Sequence, residues 1–216
     1  MTQVVIAARG GPDAKTRCAG LLSAAERSEL AELMLEDMLD AILRADGVSG
    51  VSVVTPTSAI AALAQRRGAQ VIPQEEPAGL NAAFELALGV LSETAPYAPA
   101  VLLMGDLPLM TPNELEAALA LSETHGLVIA PAIADGGTSA LILRAGARLP
   151  LAFGPDSFRR HLASARRLGL SAAVIECDGL GRDIDRPDDL AALIASPSHG
   201  RTARFLRERL AGRTVS

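Results

Sequence analysis

The sequence predicts an α/β fold of three layers, with a mostly parallel central sheet interrupted by a short antiparallel excursion. Three observations carry that expectation. Short apolar runs alternate with amphipathic segments of helical period, the pattern of strands joined by crossover helices. From Leu127 the rhythm changes, and two β-like runs follow each other with no helix between them. The chain has 216 residues, 49% of them hydrophobic, which suits one domain with an ample core.

Val4 to Ala8 is the first strand, followed by a loop rich in Gly, Pro, Lys and Arg. Ser23-Ala24-Ala25-Glu26 is a capping box, in which side chains satisfy the free backbone donors of a helix start. It opens a long helix with Leu30, Leu33, Met34, Met38, Ala41 and Ile42 near the helical period. Val51 to Thr55 is a strand stopped by Pro56. A helix through about Arg67 follows, with Gly68 as its C-cap. Val71-Ile72 is a short strand and Leu80 to Leu91 a helix. Val101 to Met104 is a buried strand, and Pro112 suits a first helical turn. Leu127 to Ala130 and Thr138 to Leu143, linked by a loop containing Gly136-Gly137, are expected to pair antiparallel. Phe158 to Leu168 is a helix, Ala172 to Ile175 a strand and Pro187 to Ile194 a helix. Residues 1–195 therefore read as one domain. Residues 196–216 read as a linker and a basic helix from Arg201 to Leu210, a solvated cover or dimer contact of that domain.

Composition excludes several functions. A net charge of −5, 2% aromatic residues and no Trp disfavour nucleic-acid binding, which draws on phosphate neutralisation and base stacking. Cys18 and Cys177 read as two reduced thiols. Val4 to Ala8 is too short for a signal-peptide core, and no segment reaches the roughly 18 apolar residues of a membrane span. The expectation is a soluble cytoplasmic protein.

In sheets of this kind, ligands bind beyond the carboxyl ends of the strands. The loop after the first strand, Arg9 to Arg17, has glycines that let the backbone approach a phosphate and carries Lys15 and Arg17. It lacks the endings of a Walker loop and of a dinucleotide fingerprint. Asp106 follows the buried strand at 101–104 and is suited to hold Mg²⁺ through one oxygen, or to cap a turn. Asp183-Ile184-Asp185 puts two carboxylates on one side of an extended segment, with Ile184 toward the core. Adjacent acids are unfavourable unless a cation neutralises them. Asp185 also suits the N-cap of the following helix, with Asp188 and Asp189 as dipole partners. Gly136-Gly137-Thr138-Ser139 and Gly154-Pro155-Asp156-Ser157 each offer amides and a hydroxyl to an anion, or are an ordinary turn and an ordinary cap. Asn81 is a candidate for a nucleobase or for a cap, and His161, one helical turn beyond Ser157, is near enough to help with a phosphate but reads first as a surface or packing histidine.

Taken in order, these motifs resemble one family. Lys15-Thr16-Arg17, the Gly-Leu-Asn-Ala-Ala run at 79–83, Asp106-Leu107-Pro108-Leu109, Gly136-Gly137-Thr138, Phe153-Gly154 with Ser157-Phe158 and His161, and Asp183-Ile184-Asp185 are similar to the 2-phospho-L-lactate or phosphoenolpyruvate guanylyltransferases of deazaflavin-coenzyme biosynthesis. The resemblance covers roughly residues 1–195. It implies a Rossmann-like nucleotidyltransferase fold of the GT-A type, and GMP transfer from GTP to the phosphate of a small phosphorylated acid. Asp106, Asp183 and Asp185 would hold Mg²⁺, while Thr138, Gly154 and Ser157 would bind the acceptor. Lys15 and Arg17 would contact the GTP phosphates, with Asn81 near the nucleoside; Lys15, Arg17 and Asp106 would be the catalytic set. Thr16 and Cys18 replace the Ser and Leu of the family's usual loop. Ser139 stands where Asn is common, beside the acceptor pocket. The acid is therefore open among phospholactate, phosphoenolpyruvate and 3-phosphoglycerate. The alternatives are transfer to a molybdopterin or sugar phosphate, or a nucleotide-binding module without catalysis.

Overall fold

The computed structural model describes residues 1–74 and 79–211. Among the described residues seven strands form one sheet: β1 (Thr2–Ala7), β2 (Val48–Thr55), β3 (Gln70–Pro73), β4 (Ala100–Met104), β5 (Leu127–Pro131), β6 (Thr138–Leu143) and β7 (Ala172–Val174), in the order β3-β2-β1-β4-β6-β5-β7. Strand β6 runs antiparallel to both its neighbours, and every other pairing is parallel. The antiparallel excursion expected after Leu127 is therefore one strand inserted between β4 and β5.

Helices α1 (Ala24–Ile42), α2 (Ser58–Arg66), α4 (Pro112–Ser122) and the short α6 (Asp178–Gly181) cover one face. Helices α3 (Leu80–Thr94) and α5 (Ser157–Arg167) cover the other. Leu35, Met38 and Ile42 of α1 pack with Ile60, Leu115 and Leu180 on the first face. Ala83, Phe84 and Ala87 of α3 pack with Ala165 of α5 on the second. The expected capping box of α1 is present, Ser23 and Glu26 bonding each other's backbone N–H groups. Gly68 takes φ +80°, the left-handed conformation that ends a helix.

Helices α7 (Pro187–Ala195) and α8 (Arg201–Arg209) form a third apolar cluster with α1. Ala203, Phe205 and Leu206 of α8 pack with Leu190 and Leu193 of α7, Leu30 and Met34 of α1, and Ile184. Asp37 of α1 accepts from the backbone N–H groups of Arg201 and Thr202, so it caps α8 across 164 residues. The terminal helix is thus part of the core rather than a solvated cover. Residues 212–216 of the expected terminal segment lie outside the described residues.

The chain leaves β1 for β2 and β3, then returns to the opposite side of β1 as β4. That reversal opens a crevice beyond the carboxyl ends of β1 and β4. Gly105 is needed there. A Cβ on it would lie 2.8 Å from Ala7 O and from Ala8 Cα, so only glycine lets the end of β4 pass the end of β1 this closely.

Candidate active site

The loop after β1 and the turn after β4 meet in a cavity of about 430 Å³, lined among others by Arg9, Gly10, Asp13, Lys15, Asp106 and Asp185. Lys15 has φ 50°, a left-handed conformation that a residue with a Cβ adopts at a cost of order 1 kcal/mol. That conformation aims its ammonium at the far side of the crevice. Lys15 Nζ donates to Asp106 Oδ2 at 2.7 Å and lies 3.5 Å from Asp185 Oδ1. Arg17, well exposed, forms an ion pair with the other oxygen of Asp185. The Asp183–Asp185 segment lies outside any helix or strand and is held from two sides. Ile184 N–H donates to Asp106 O while the Ile184 side chain is fully buried. The Cys18 thiol donates to Asp185 O at 3.4 Å.

Asp185 does not cap α7. Arg186 occupies the N-cap, and Asp189 accepts from the N–H groups of both Asp185 and Arg186. The carboxylate of Asp185 is left to the crevice because Asp189 does the capping.

The charges here are coupled. Burial alone would lower the Lys15 pKa, but the charge of Asp106 and its hydrogen bond, then Asp185 and Asp183, raise it on balance. Lys15 is a full cation. Asp183 is pushed up to about 6, first by burial and then by the charge of Asp106, against the partial relief of Lys15. The inner oxygen of Asp106, Oδ1, is buried with no hydrogen-bond partner among the described residues. Asp106 and Asp185 thus line one cavity wall, with Asp183 close enough to feel the charge of Asp106 and the Lys15 ammonium between Asp106 and Asp185. No three His, Cys, Asp or Glu side chains among the described residues form a ready-made metal cage. An orphaned carboxylate oxygen beside a reluctantly ionised Asp183 is a donor set of hard oxygens that suits a hard divalent cation.

A second constellation lies behind α3. Thr138 and Ser157 are buried, and the Ser157 hydroxyl donates to Thr138 Oγ1 at 3.1 Å. His161 is also buried and anchors them: Nε2 accepts from Ala152 N–H at 2.9 Å, and Nδ1 stands 3.0 Å from Thr138 Oγ1. An accepting Nε2 puts the proton on Nδ1, which then donates to Thr138. Burial, then the charge of Arg160, lowers the His161 pKa to about 4. Asn81 neither caps α3, whose N-cap is Gly79, nor keeps a free amide. It donates to Phe153 O and accepts from Phe153 N–H, fastening the loop before Gly154 to α3. Gly154 takes φ +122° on that loop, and Arg160 binds the loop carbonyls of Ala152 and Pro155.

His161 makes stability depend on pH with a definite sign. Its folded pKa lies below the ordinary 6.5, so the unfolded chain takes up the proton first. The contribution is complete above pH 6.5 and is lost as pH falls through that value toward about 4. Replacing it as His161→Gln, which cannot charge, is expected to flatten that part of the curve. Thermal midpoints of both proteins between pH 4 and 7 check it, and parallel curves would exclude His161 as the cause.

The structure brings Lys15, Arg17, Asp106 and Asp185 into contact, with Asp183 close enough to be shifted by Asp106. It gathers Thr138, Ser157 and Asn81 around Phe153 and His161 as a separate hydrogen-bonded group. Of the two readings of His161, surface or packing, the structure gives the second: it is a buried anchor. Sequence reasoning missed two participants: Cys18 ties the basic loop to the acidic segment, and Arg27 supports that loop from behind. Nothing local announced either.

Comparison with solved structures gives the fold. The chain superposes on a nucleotidyl transferase from Methanothermobacter thermautotroptrophicus with a TM-score of 0.63 at 19% identity, covering 96% of this chain and 99% of that one. A protein from Desulfovibrio desulfuricans G20 aligns with a TM-score of 0.82 at 19% identity, covering 98% and 96%. The fold is the one these two solved structures share. A family model described as "Guanylyl transferase CofC like" matches residues 2–213, and the chain belongs to that family. It is 47% identical over 210 residues to 3-phospho-D-glycerate guanylyltransferase of Phenylobacterium zucineum (strain HLK1), 96% of each chain being covered. It is 36% identical over 209 residues to phosphoenolpyruvate guanylyltransferase of Nocardia farcinica (strain IFM 10152), covering 94% of this chain and 90% of that one. The resemblance first read from the ordered motifs is thereby shown, and the protein is an enzyme of the nucleotidyltransferase class. No helix among the described residues is long and apolar enough to cross a membrane.

Proposed function

We propose that this enzyme transfers GMP from GTP to the phosphate of a small phosphorylated acid, with 3-phospho-D-glycerate as the first candidate, and releases pyrophosphate. The observation that carries the reading is Lys15 Nζ held 2.7 Å from Asp106 and 3.5 Å from Asp185 in the crevice between β1 and β4. The 47% identity to a relative named for 3-phospho-D-glycerate supports that acid over the others.

An acceptor phosphate is already ionised at neutral pH, so no general base is required. Its oxygen attacks the α-phosphorus of GTP in line, and pyrophosphate leaves with the electron pair. The chain's own part is positioning and charge neutralisation. Lys15 and the exposed Arg17, each drawn from its carboxylate partner toward the donor phosphates, offset the negative charge that builds there. Asp106, Asp183 and Asp185 are the residues to hold a magnesium ion, which supplies Lewis-acid charge to phosphate oxygens when bound. Thr138, Ser157 and the Gly154 loop are the proposed acceptor end, with Asn81 and His161 setting their positions.

The test is pyrophosphate release from GTP with Mg²⁺ against 3-phosphoglycerate, phosphoenolpyruvate and 2-phospho-L-lactate, with mass detection of the product. A guanylylated 3-phosphoglycerate supports the proposal in full. Guanylylation of only another acid keeps the chemistry and replaces the acceptor. No release with any acid, in protein that binds GTP, sinks the reading.

A further inference from the structure

Arg27 is nine-tenths buried, does not line the cavity, and has no part in the chemistry above. Its guanidinium spends its donors on the basic loop. Nε donates to Ala14 O at 3.0 Å, Nη1 to Leu22 O at 3.0 Å and Nη2 to Pro12 O at 2.8 Å. Burying a permanent cation against neutral carbonyls is costly, and such a group persists where its donors organise something.

What it organises follows from peptide geometry. There are no cis bonds among the described residues, and in a trans peptide the N–H points opposite to the C=O of the same unit. Drawing the carbonyls of Pro12, Ala14 and Leu22 toward Arg27 therefore turns the N–H groups of Asp13, Lys15 and Ser23 away from it. The third behaves as required, because Ser23 N–H is taken by Glu26 in the α1 capping box. The other two, on Asp13 and Lys15, have no hydrogen-bond acceptor among the described residues, and both residues line the cavity. Nearby amides are already used: Gly10 N–H goes to Thr57 and Gly11 N–H to Ser28. Between them the Ala14 N–H goes to Gly11 O at 3.0 Å, so two free amides two residues apart, one of them on the left-handed Lys15, are left facing the cavity, where turned-out amides favour an anion.

We infer that Arg27 is a positioning residue for the donor nucleotide: by gathering the loop carbonyls on its own side it presents the Asp13 and Lys15 amides, with the Lys15 ammonium, to the donor's phosphates. The inference rests on the proposed use of this crevice by a nucleoside triphosphate. Lysine cannot replace it, since one ammonium lacks the flat fork that reaches three separated carbonyls.

The experiment uses the full chain with Arg27→Lys and Arg27→Ala, measuring kcat, KM for GTP and KM for the acid, and thermal midpoints with and without GTP and Mg²⁺. Arg27→Lys is expected to raise KM for GTP at least tenfold while KM for the acid stays within twofold. Added methylguanidine is expected to recover part of the GTP affinity of Arg27→Ala, whether or not that variant is less stable. A folded Arg27→Lys with unchanged KM for GTP overturns the inference alone. So does a loss of kcat that follows the thermal midpoint and leaves both KM values in place, which is the mark of a merely structural role. Wild-type protein whose midpoint does not respond to GTP overturns the proposed function and this inference together.

Discussion

Replacing Asp106 with Asn is expected to abolish turnover and to destabilise the chain at the same time. The catalytic loss follows from the loss of the carboxylate that faces both Lys15 and the proposed magnesium site. A single well-placed electrostatic group is worth about 10²–10³ in rate, and one that also anchors a cation is worth more. The stability loss follows from the partner left behind. Lys15 is nearly buried, and stranding such a charge costs roughly 3 kcal/mol, the low end for a broken buried pair, since Asp185 still faces it. In a chain of this size that is about 6–12 °C in thermal midpoint. Mg²⁺ is expected to raise the midpoint of the wild type and to leave that of the variant in place. Activity retained in Asp106→Asn would remove this residue from the site altogether.

For Asp183→Asn the two effects have opposite signs. Turnover is expected to fall at least a hundredfold, because a hard-oxygen donor is lost. Stability without metal is expected to rise. Burial and the nearby Asp106 raise the Asp183 pKa from 3.8 to about 6, so the folded chain binds the proton more tightly than the unfolded chain. Stability therefore falls as pH rises across that window. The penalty is absent below pH 3.8 and complete above about 6. Asparagine removes it, so the variant's midpoint is expected to exceed that of the wild type by a few degrees at pH 7.5. The difference closes as the solution is acidified. A variant less stable than the wild type at pH 7.5 without metal would show that Asp183 ionises there at no cost. Strain of this kind, held at a site and supported elsewhere, fits a residue kept for function.

The architecture was legible because its causes are local and periodic. Apolar runs at β1, β4 and β5, the Ser23–Glu26 box and Gly68 each act within a few residues, so one-dimensional reading suffices. The short α6 was not legible, since four residues carry no period. The acids and the basic loop were legible as candidates because they stand just after strands, where an α/β sheet leaves room for ligands.

Position in three dimensions was decided elsewhere. Thr138 shares parity with Ala140 and Ile142, so strict alternation would put all three on one face. Instead the register shift at Ala130/Pro131 pairs Thr138 with Pro131, and its hydroxyl meets Ser157 and His161 of α5. Ala140 and Ile142 meanwhile pack on the face of α1 and α4. One extra residue in a strand re-aims a side chain, and no local pattern announces it. Arg27 is a similar case: on a helical wheel it is one more basic residue, and only the folded loop shows that each of its three nitrogens donates to a carbonyl. By itself, the sequence determined the class of fold, the family and the residues able to do the chemistry, because propensity and motif order are properties of the chain. Only the tertiary structure decided that Lys15 meets Asp106 across 91 residues, that Asp189 and not Asp185 caps α7, and that His161 is buried. Those outcomes depend on which distant groups compete for the same hydrogen bonds once the sheet has closed.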